Sequence, residues 1–339
     1  MDITTALQQM LAGGSLGRSE TESLFGSLMD GDLNEAHKAA LLIVLRMKGE
    51  TADEIAGAAT AMRQRVLAIP HSRDQVVDTC GTGGDGKGTF NISTAAAFVA
   101  AAAGVPIAKH GNRSVSSLCG SADVLSRLGL DVEVTPEEAG RALDALGIAF
   151  LFAPKLHPAM REVMPVRKQL GLRTVFNILG PLTNPAGARR QVMGVYAPEL
   201  VDLVAQVLAR LGSEHALVVH GDGLDEITTT GETLVSEVRA GEVRRYTVEP
   251  TALGVQVAPQ EALAGGDPQT NAQLLSGVLA GEVGPLADVT VLNAGAAIYV
   301  AGLVGSLQEG VDAARQVQRS GAAAAKLSEL VQFHSGRST

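Results

Sequence analysis

The chain has 339 residues, a formal net charge of -9, 46% hydrophobic and 3% aromatic residues, and two cysteines. This length suits one large domain or two with a sizeable core. The acidic balance argues against a nucleic-acid binder that works through a broad basic face, so no nucleic-acid partner is expected. Cys80 and Cys119 lack a C-x-x-C spacing and give no disulfide framework, which fits a reduced cytoplasm. The first residues, MDITTALQQMLAGG, show no basic region ahead of an apolar core. The longest apolar run, 291–304, holds Asn293 and two glycines and is too short for a bilayer, so it reads as a buried helix and no membrane partner is expected.

Residues 1–68 read as helices. Ser19 with Glu22 and Thr51 with Glu54 have capping-box spacing, and Asn34 is placed to cap a helix over 36–47 whose Ala40, Leu41, Val44 and Leu45 share a face. The polar break at 69–72 ends this region, and an α/β region is expected from Asp74. Val76 and Val77 suit a short buried strand and 95–103 an Ala-rich helix. Beyond them, strands are expected over 105–108, 148–152, 191–196 and 216–219, and helices over 122–128, 137–146 and 200–211. Such alternation implies a mostly parallel sheet covered by helices. The stretch 230–248 reads as antiparallel β turning at Gly241 and Glu242, and 272–331 is mainly helical.

The stretch 78–94, DTCGTGGDGKGTFNIST, lies between the first strand and the Ala-rich helix. Five glycines within 81–88 let backbone N–H groups approach a ligand closely, and a nest of amides opening onto a helix N-terminus attracts phosphate. Asn91, Ser93 and Thr94 add polar groups that can cap the helix or reach an anion. Lys87 is followed by Gly88, so this is not the G-x-x-x-x-G-K-[ST] loop, and no G-x-G-x-x-G fingerprint is present.

Three further clusters follow. KHGNRSVSS over 109–117, with Gly120, Ser121 and Asp123 after it, follows the expected strand over 105–108 and reads as an anion clamp or as a solvated polar loop. HPAMR over 157–161 runs on to PVRKQLGLRTVFNILGPLTNP over 165–185; Arg167 there suits a bidentate carboxylate pair or a plain surface role, and His157 caps, packs or positions. GDGLDE over 221–226 ends in adjacent carboxylates, Asp225 and Glu226, which repel each other unless a cation such as Mg²⁺ sits between them.

In this order, DTCGTGGDG…FNIST, KHGNRSVSS…GSAD, HPAM…PVRKQLGLRTVFNILGPLTNP and GDGLDE resemble the anthranilate phosphoribosyltransferase family. The match covers 78–226, and the helical N-terminal region fits it. The resemblance implies a small all-helical domain of residues 1–70, completed by helices near 157–185, and a larger α/β domain of 71–156 and 186–339. It implies a homodimer formed through the helical domain. It also implies transfer of the phosphoribosyl group from 5-phospho-α-D-ribose 1-diphosphate to the amine of anthranilate.

By the same resemblance the donor is held by Gly81, Gly84, Asp85, Thr89, Asn91, Ile92, Ser93, Thr94, Lys109, His110, Gly111, Asn112, Arg113, Ser114, Val115, Ser116, Ser117 and Ser121. Anthranilate is held by Gly81, Asn112 and Arg167, with Arg167 reading its carboxylate. Two Mg²⁺ ions are expected, one on Ser93 and one on Asp225 and Glu226. An aromatic amine is neutral at pH 7, so no general base is assigned. The substrates are expected to meet between the two domains, whose closure would exclude water. Ser126 stands where the family is expected to carry glutamate. The rival readings are a pyrimidine nucleoside phosphorylase, which carries a different loop in place of GSAD, and a non-catalytic nucleic-acid-binding relative.

Overall fold

A computed structural model describes residues 2–114 and 118–336. Four helices open the chain: α1 (Ile3–Leu11), α2 (Arg18–Asp30), α3 (Glu35–Lys48) and α4 (Ala52–Arg63). Asn34 caps α3 through the His37 N–H at 2.9 Å, and Thr51 and Glu54 form the reciprocal capping pair of α4. The start of α2 is corrected from the expectation. Gly17 is its N-cap, and the Glu20 carboxylate accepts the Gly17 N–H at 2.7 Å, so only the carboxylate half of a box forms, two residues earlier than Ser19 with Glu22.

Seven strands follow: β1 (Val77–Gly81), β2 (Ile107–Gly111), β3 (Ile148–Phe152), β4 (Arg190–Gly194), β5 (His215–Gly221), β6 (Thr233–Arg239) and β7 (Glu242–Val248). They form one sheet in the order β3-β2-β1-β4-β5-β6-β7, parallel from β3 to β5 and antiparallel beyond. The β6–β7 turn is Ala240-Gly241, one residue before the expected pair, and both residues have positive φ as a tight hairpin of this twist requires. The helices between and after are α5 (Ile92–Ala102), α6 (Ser121–Arg127), α7 (Pro136–Leu146), α8 (Ala153–Leu156), α9 (Met164–Leu170), α10 (Phe176–Leu179), α11 (Leu200–Arg210), α12 (Pro268–Leu279), α13 (Pro285–Ala301), α14 (Leu307–Ser320) and α15 (Ala322–Ser335). Helix α13 is apolar around its whole circumference and nearly all its residues are buried, as expected for 291–304. Ser126 is exposed on α6.

Strand alternation divides the core. Val77, Ile107, Phe150, Val192 and Leu217 face a layer built from α5 and α12–α15. On the opposite face Cys80, Met193, Ala216 and Val218 join a second core that runs through α11 into α1–α4 and on to Val166, Phe176 and Leu179 of α9 and α10. The four N-terminal helices and the 163–182 segment thus share one core, seated on one face of the sheet.

Backbones touch where α2 crosses α4: a Cβ at Gly57 would meet Thr21 Cβ at 2.9 Å and the Glu22 nitrogen at 3.0 Å. Gly57→Ala is therefore expected to lower stability by about 1–3 kcal/mol. The check is a lower urea midpoint with an unchanged m-value.

Candidate active site

Strand β1 lies between β2 and β4, and the chain leaves it toward opposite edges of the sheet, so the carboxyl ends of β1 and β4 mark a topological switch point. The loop after β1 opens there. Gly83, Gly84, Gly86 and Gly88 all have positive φ, from 63° to 81°, which is the reason this stretch is glycine-rich. Three of its own N–H groups are tied down: Thr82 N–H to the Gly194 carbonyl at 2.9 Å, Gly83 N–H to Asp225 Oδ2 at 2.7 Å, and Lys87 N–H to Asp85 Oδ1 at 3.1 Å. The N–H groups of Gly84, Asp85 and Gly86 have no acceptor among the described residues. Thr89 lies at the far end, bridged to Ala264.

The loop after β5 folds back over these strand ends. A Cβ at Gly194 would collide with the Asp225 backbone, and one at Gly81 would lie 2.5 Å from Asp225 Oδ2. Glycine at both strand ends is what lets the carboxylates reach the switch point. Burial, then the nearby Asp85 carboxylate, pushes Asp225 up to about 7. Burial and Asp225 push Glu226 up as well. Glu226 Oε1 accepts the Ser93 N–H at 3.1 Å.

The expectations for the first helix and second strand need correction. Helix α5 starts at Ile92, so Ser93 and Thr94 lie in its first turn. Asn91 is the N-cap residue, yet its side chain caps nothing: Nδ2 donates to the Cys119 carbonyl at 3.2 Å and Oδ1 accepts from Asn271 at 2.9 Å. Ile92 and Thr94 are buried, and Thr94 Oγ1 has no partner among the described residues. Strand β2 continues to Gly111 because 109–111 pair with 150–152 of β3, so Lys109 and His110 are strand residues and not loop cations. Lys109 Nζ donates to the Thr79 carbonyl at 2.5 Å and to Ser93 Oγ at 3.2 Å. Burial lowers its proton affinity, while Asp78 and Glu226 oppose that shift.

Beyond Gly111, Asp123 of α6 holds two backbone groups: its Oδ2 accepts the N–H groups of Ser114 and Gly120, each at 2.9 Å. Burial works to raise this carboxyl, but those N–H groups and Arg113 hold it below the ordinary range. Arg113 is engaged by Asp123 at 3.3 Å, Glu133 at 3.4 Å and the Phe152 ring at 5.5 Å. Ser121 Oγ donates to the Asn112 carbonyl at 3.3 Å, and Asn112 Oδ1 accepts the Arg113 N–H at 2.7 Å. Val115, Ser116 and Ser117 lie outside the described residues.

From the other side come α9 and α10. Arg167 is half-buried, 5.5 Å over the Phe176 ring, and the only hydrogen-bond partner of its guanidinium among the described residues is the Met164 thioether at 3.8 Å. It is thus free to pair with a carboxylate. Arg173 reaches the glycine loop itself, donating to the Gly84 carbonyl. His157 Nε2 meets His110 Nε2 at 3.1 Å, and burial depresses the pair to about 4 and about 3, so both rings are neutral. Asp78, fully buried, accepts the His110 N–H at 3.1 Å and Asn184 Nδ2 at 2.8 Å. Motif reading gave no role to Asp78, Asp123, Arg173, Asn184 or Gly194. Asp78, Asp123, Arg173 and Asn184 stand inside the quoted motifs, and a glycine closing an apolar strand was the signal for Gly194.

Family comparison agrees with this geometry. Residues 73–324 match the family described as "Glycosyl transferase family, a/b domain", and 4–66 match "Glycosyl transferase family, helical bundle domain". An anthranilate phosphoribosyltransferase of Symbiobacterium thermophilum is 52% identical over 328 residues, 96% of each chain. The chain belongs to the anthranilate phosphoribosyltransferase family. The crystal structure of that enzyme from Thermus thermophilus superposes with a TM-score of 0.93 at 49% identity, covering 97% of this chain and 98% of that one. The Saccharomyces cerevisiae enzyme, 28% identical with a TM-score of 0.88 and 98% of each chain covered, has been solved in complex with PRPP and Mg; it has also been solved in complex with 4-fluoroanthranilate.

Among the described residues no three His, Cys, Asp or Glu side chains are gathered closely enough to enclose a metal. Mg²⁺ does not need such a cage, since it takes one or two carboxylates and completes its shell with phosphate oxygens and water. Burial raises both carboxyls, Asp85 adds to the shift of Asp225 and Asp225 to that of Glu226, and the negative charge held back there is what such an ion would neutralise. Because the folded pKa of Asp225 lies above its unfolded value, this carboxyl stabilises the metal-free protein least once pH exceeds about 7. Mg²⁺ with diphosphate is therefore expected to raise the melting temperature more at pH 8 than at pH 6. Asp225→Asn with Glu226→Gln is expected to remove most of that difference, read by thermal melts with and without the pair.

Proposed function

We propose that the chain transfers the 5-phosphoribosyl group of 5-phospho-α-D-ribose 1-diphosphate to the amine of anthranilate, giving N-(5-phosphoribosyl)anthranilate and diphosphate in tryptophan biosynthesis. The observation that carries this reading is the set of unpartnered amides at Gly84, Asp85 and Gly86 beside the Asp225–Glu226 pair, with an uncommitted arginine on the facing segment. The names and bound molecules of the relatives support the same substrates.

Departure of diphosphate leaves an oxocarbenium-like C1, so the site must stabilise leaving-group charge and hold the amine in line. Mg²⁺ held by Asp225 and Glu226, and a second ion on Ser93, would neutralise the diphosphate. The loop amides donate to its oxygens, and Lys109, already on Ser93 Oγ, supplies a fixed positive charge beneath α5. Asn112 and Arg167 hold anthranilate, Arg167 by a bidentate pair with its carboxylate. His110 and His157 spend their facing Nε2 atoms on each other, which suits positioning and not proton removal.

The division into a helical domain of 1–70 with 157–185 and an α/β domain of the remainder is supported by the family boundaries at 66 and 73. Leu11 and Met47, 73% and 81% exposed on α1 and α3, support a homodimer through the helical domain. Two buried cysteines that form no disulfide suit a cytoplasmic protein. Among the described residues no helix is long and apolar enough to cross a membrane.

The test is loss of anthranilate fluorescence on mixing protein, donor and Mg²⁺, with each omitted in turn. Loss that needs every component is expected; none, with folded protein and varied metal, removes the reading. Arg167→Ala is expected to raise the KM for anthranilate about tenfold or more, one charge-assisted pair, and to leave the donor KM nearly unchanged. Leu11→Glu with Met47→Glu is expected to halve the mass seen by light scattering.

A further inference from the structure

Arg173 is exposed on the turn that follows α9, and in an acidic protein such an arginine would be expected to find a carboxylate. Among the described residues it has none within 4.0 Å. Its guanidinium carbon lies over the Tyr196 ring, 4.3 Å from the centroid, and the group donates to the carbonyl of Gly84. Tyr196 is itself registered to the glycine loop, since its N–H donates to Thr82 Oγ1 at 3.0 Å. Thr82, Tyr196, Arg173 and Gly84 therefore close a circuit around the first turn of the loop.

The circuit constrains one peptide. In a trans peptide the carbonyl and the following N–H point in opposite directions. Holding the Gly84 carbonyl on Arg173 turns the Asp85 N–H away from Arg173, and that N–H has no acceptor among the described residues. Gly84 suits this in two respects: its φ is 81°, and a Cβ there would lie 3.3 Å from Arg173 Nη2. The segment that carries the clamp also carries the carboxylate reader, because the α9 cap joins Gly171 N–H to the Arg167 carbonyl at 3.1 Å, two residues before Arg173.

We infer that Arg173, stacked on Tyr196, is a positioning residue that sets the 84–85 peptide so that the glycine loop presents the Asp85 N–H to the donor's diphosphate. The inference rests on the proposed reaction for its kinetic readout. It makes the shape of the donor site depend on the α9–α10 segment, so both substrate sites lean on one short stretch of chain.

The experiment compares wild type with Arg173→Ala, Arg173→Lys and Tyr196→Leu. It reads the KM for donor, the KM for anthranilate and kcat, and calorimetric binding of diphosphate with Mg²⁺. Arg173→Ala is expected to raise the donor KM and the diphosphate Kd about tenfold while the anthranilate KM stays within about twofold, as for loss of one charge-assisted hydrogen bond. Arg173→Lys should fall between, since an ammonium donates to the carbonyl but does not stack. Tyr196→Leu keeps the charge and loses the platform, so it should weaken diphosphate in the same direction. A Tyr196→Leu protein that binds diphosphate like wild type would reduce Arg173 to a source of charge and overturn the inference, as would an equal rise in both KM values. Failure of the wild-type fluorescence assay would remove the reaction, while the diphosphate titrations would still read the clamp.

Discussion

The close approach of the 222–226 loop to the ends of β1 and β4 is the constraint on which the site depends. Asp225 rests its backbone where a Gly194 side chain would be and its carboxylate against Gly81, and from there it takes the Gly83 N–H. One contact thus fixes the carboxylates relative to the glycine loop and joins two strands that are neighbours only through the sheet. Without the glycines the loop would stand off the sheet, and the carboxylates would be drawn away from the switch point.

Charge is the second constraint. Asp78, Asp225 and Glu226 gather near one buried ammonium, Lys109, which hydrogen bonds neutral oxygens of Thr79 and Ser93, and Asp85 lies beside Asp225 and Glu226. Burial raises the proton affinity of Asp78, Asp225 and Glu226 and lowers that of Lys109. A site with this imbalance gains most from a ligand that brings its own cations, as a metal-bound diphosphate does. The acidic chain therefore needs no basic face to take up a polyanion.

The chain crosses between its helical region and the sheet near one buried polar knot. Asp78 accepts from the His110 backbone on β2 and from Asn184 on the returning segment, and His110 meets His157 just beyond α8. Arg173 makes the outer counterpart of this knot at the loop. Both are local hydrogen-bonded ties between elements far apart in sequence, and they set how α9 faces the switch point.

The local features were legible because they follow from neighbours in the chain. The capping pair at Thr51 and Glu54, the α3 cap at Asn34, the buried helix around Asn293 and the alternation of strands and helices each rest on short-range periodicity or a nearby hydrogen bond. The glycine loop, the adjacent carboxylates and the motif order that pointed to the family are sequence properties in the same sense. The start of α2, the length of β2 and the role of Asn91 were not legible. An N-cap is decided by which carboxylate turns back, β2 is extended by its pairing with β3, and Asn91 finds partners in Cys119 and Asn271, distant along the chain. By itself the sequence determined the alternation of elements, the glycine loop and the family. Only the tertiary structure decided that Asp225 sits on Gly194, that Lys109 is buried on Ser93, that Asp123 takes the N–H groups of Ser114 and Gly120 and that Arg173 grips Gly84, because each of these contacts requires the sheet or the loop above it to have closed first.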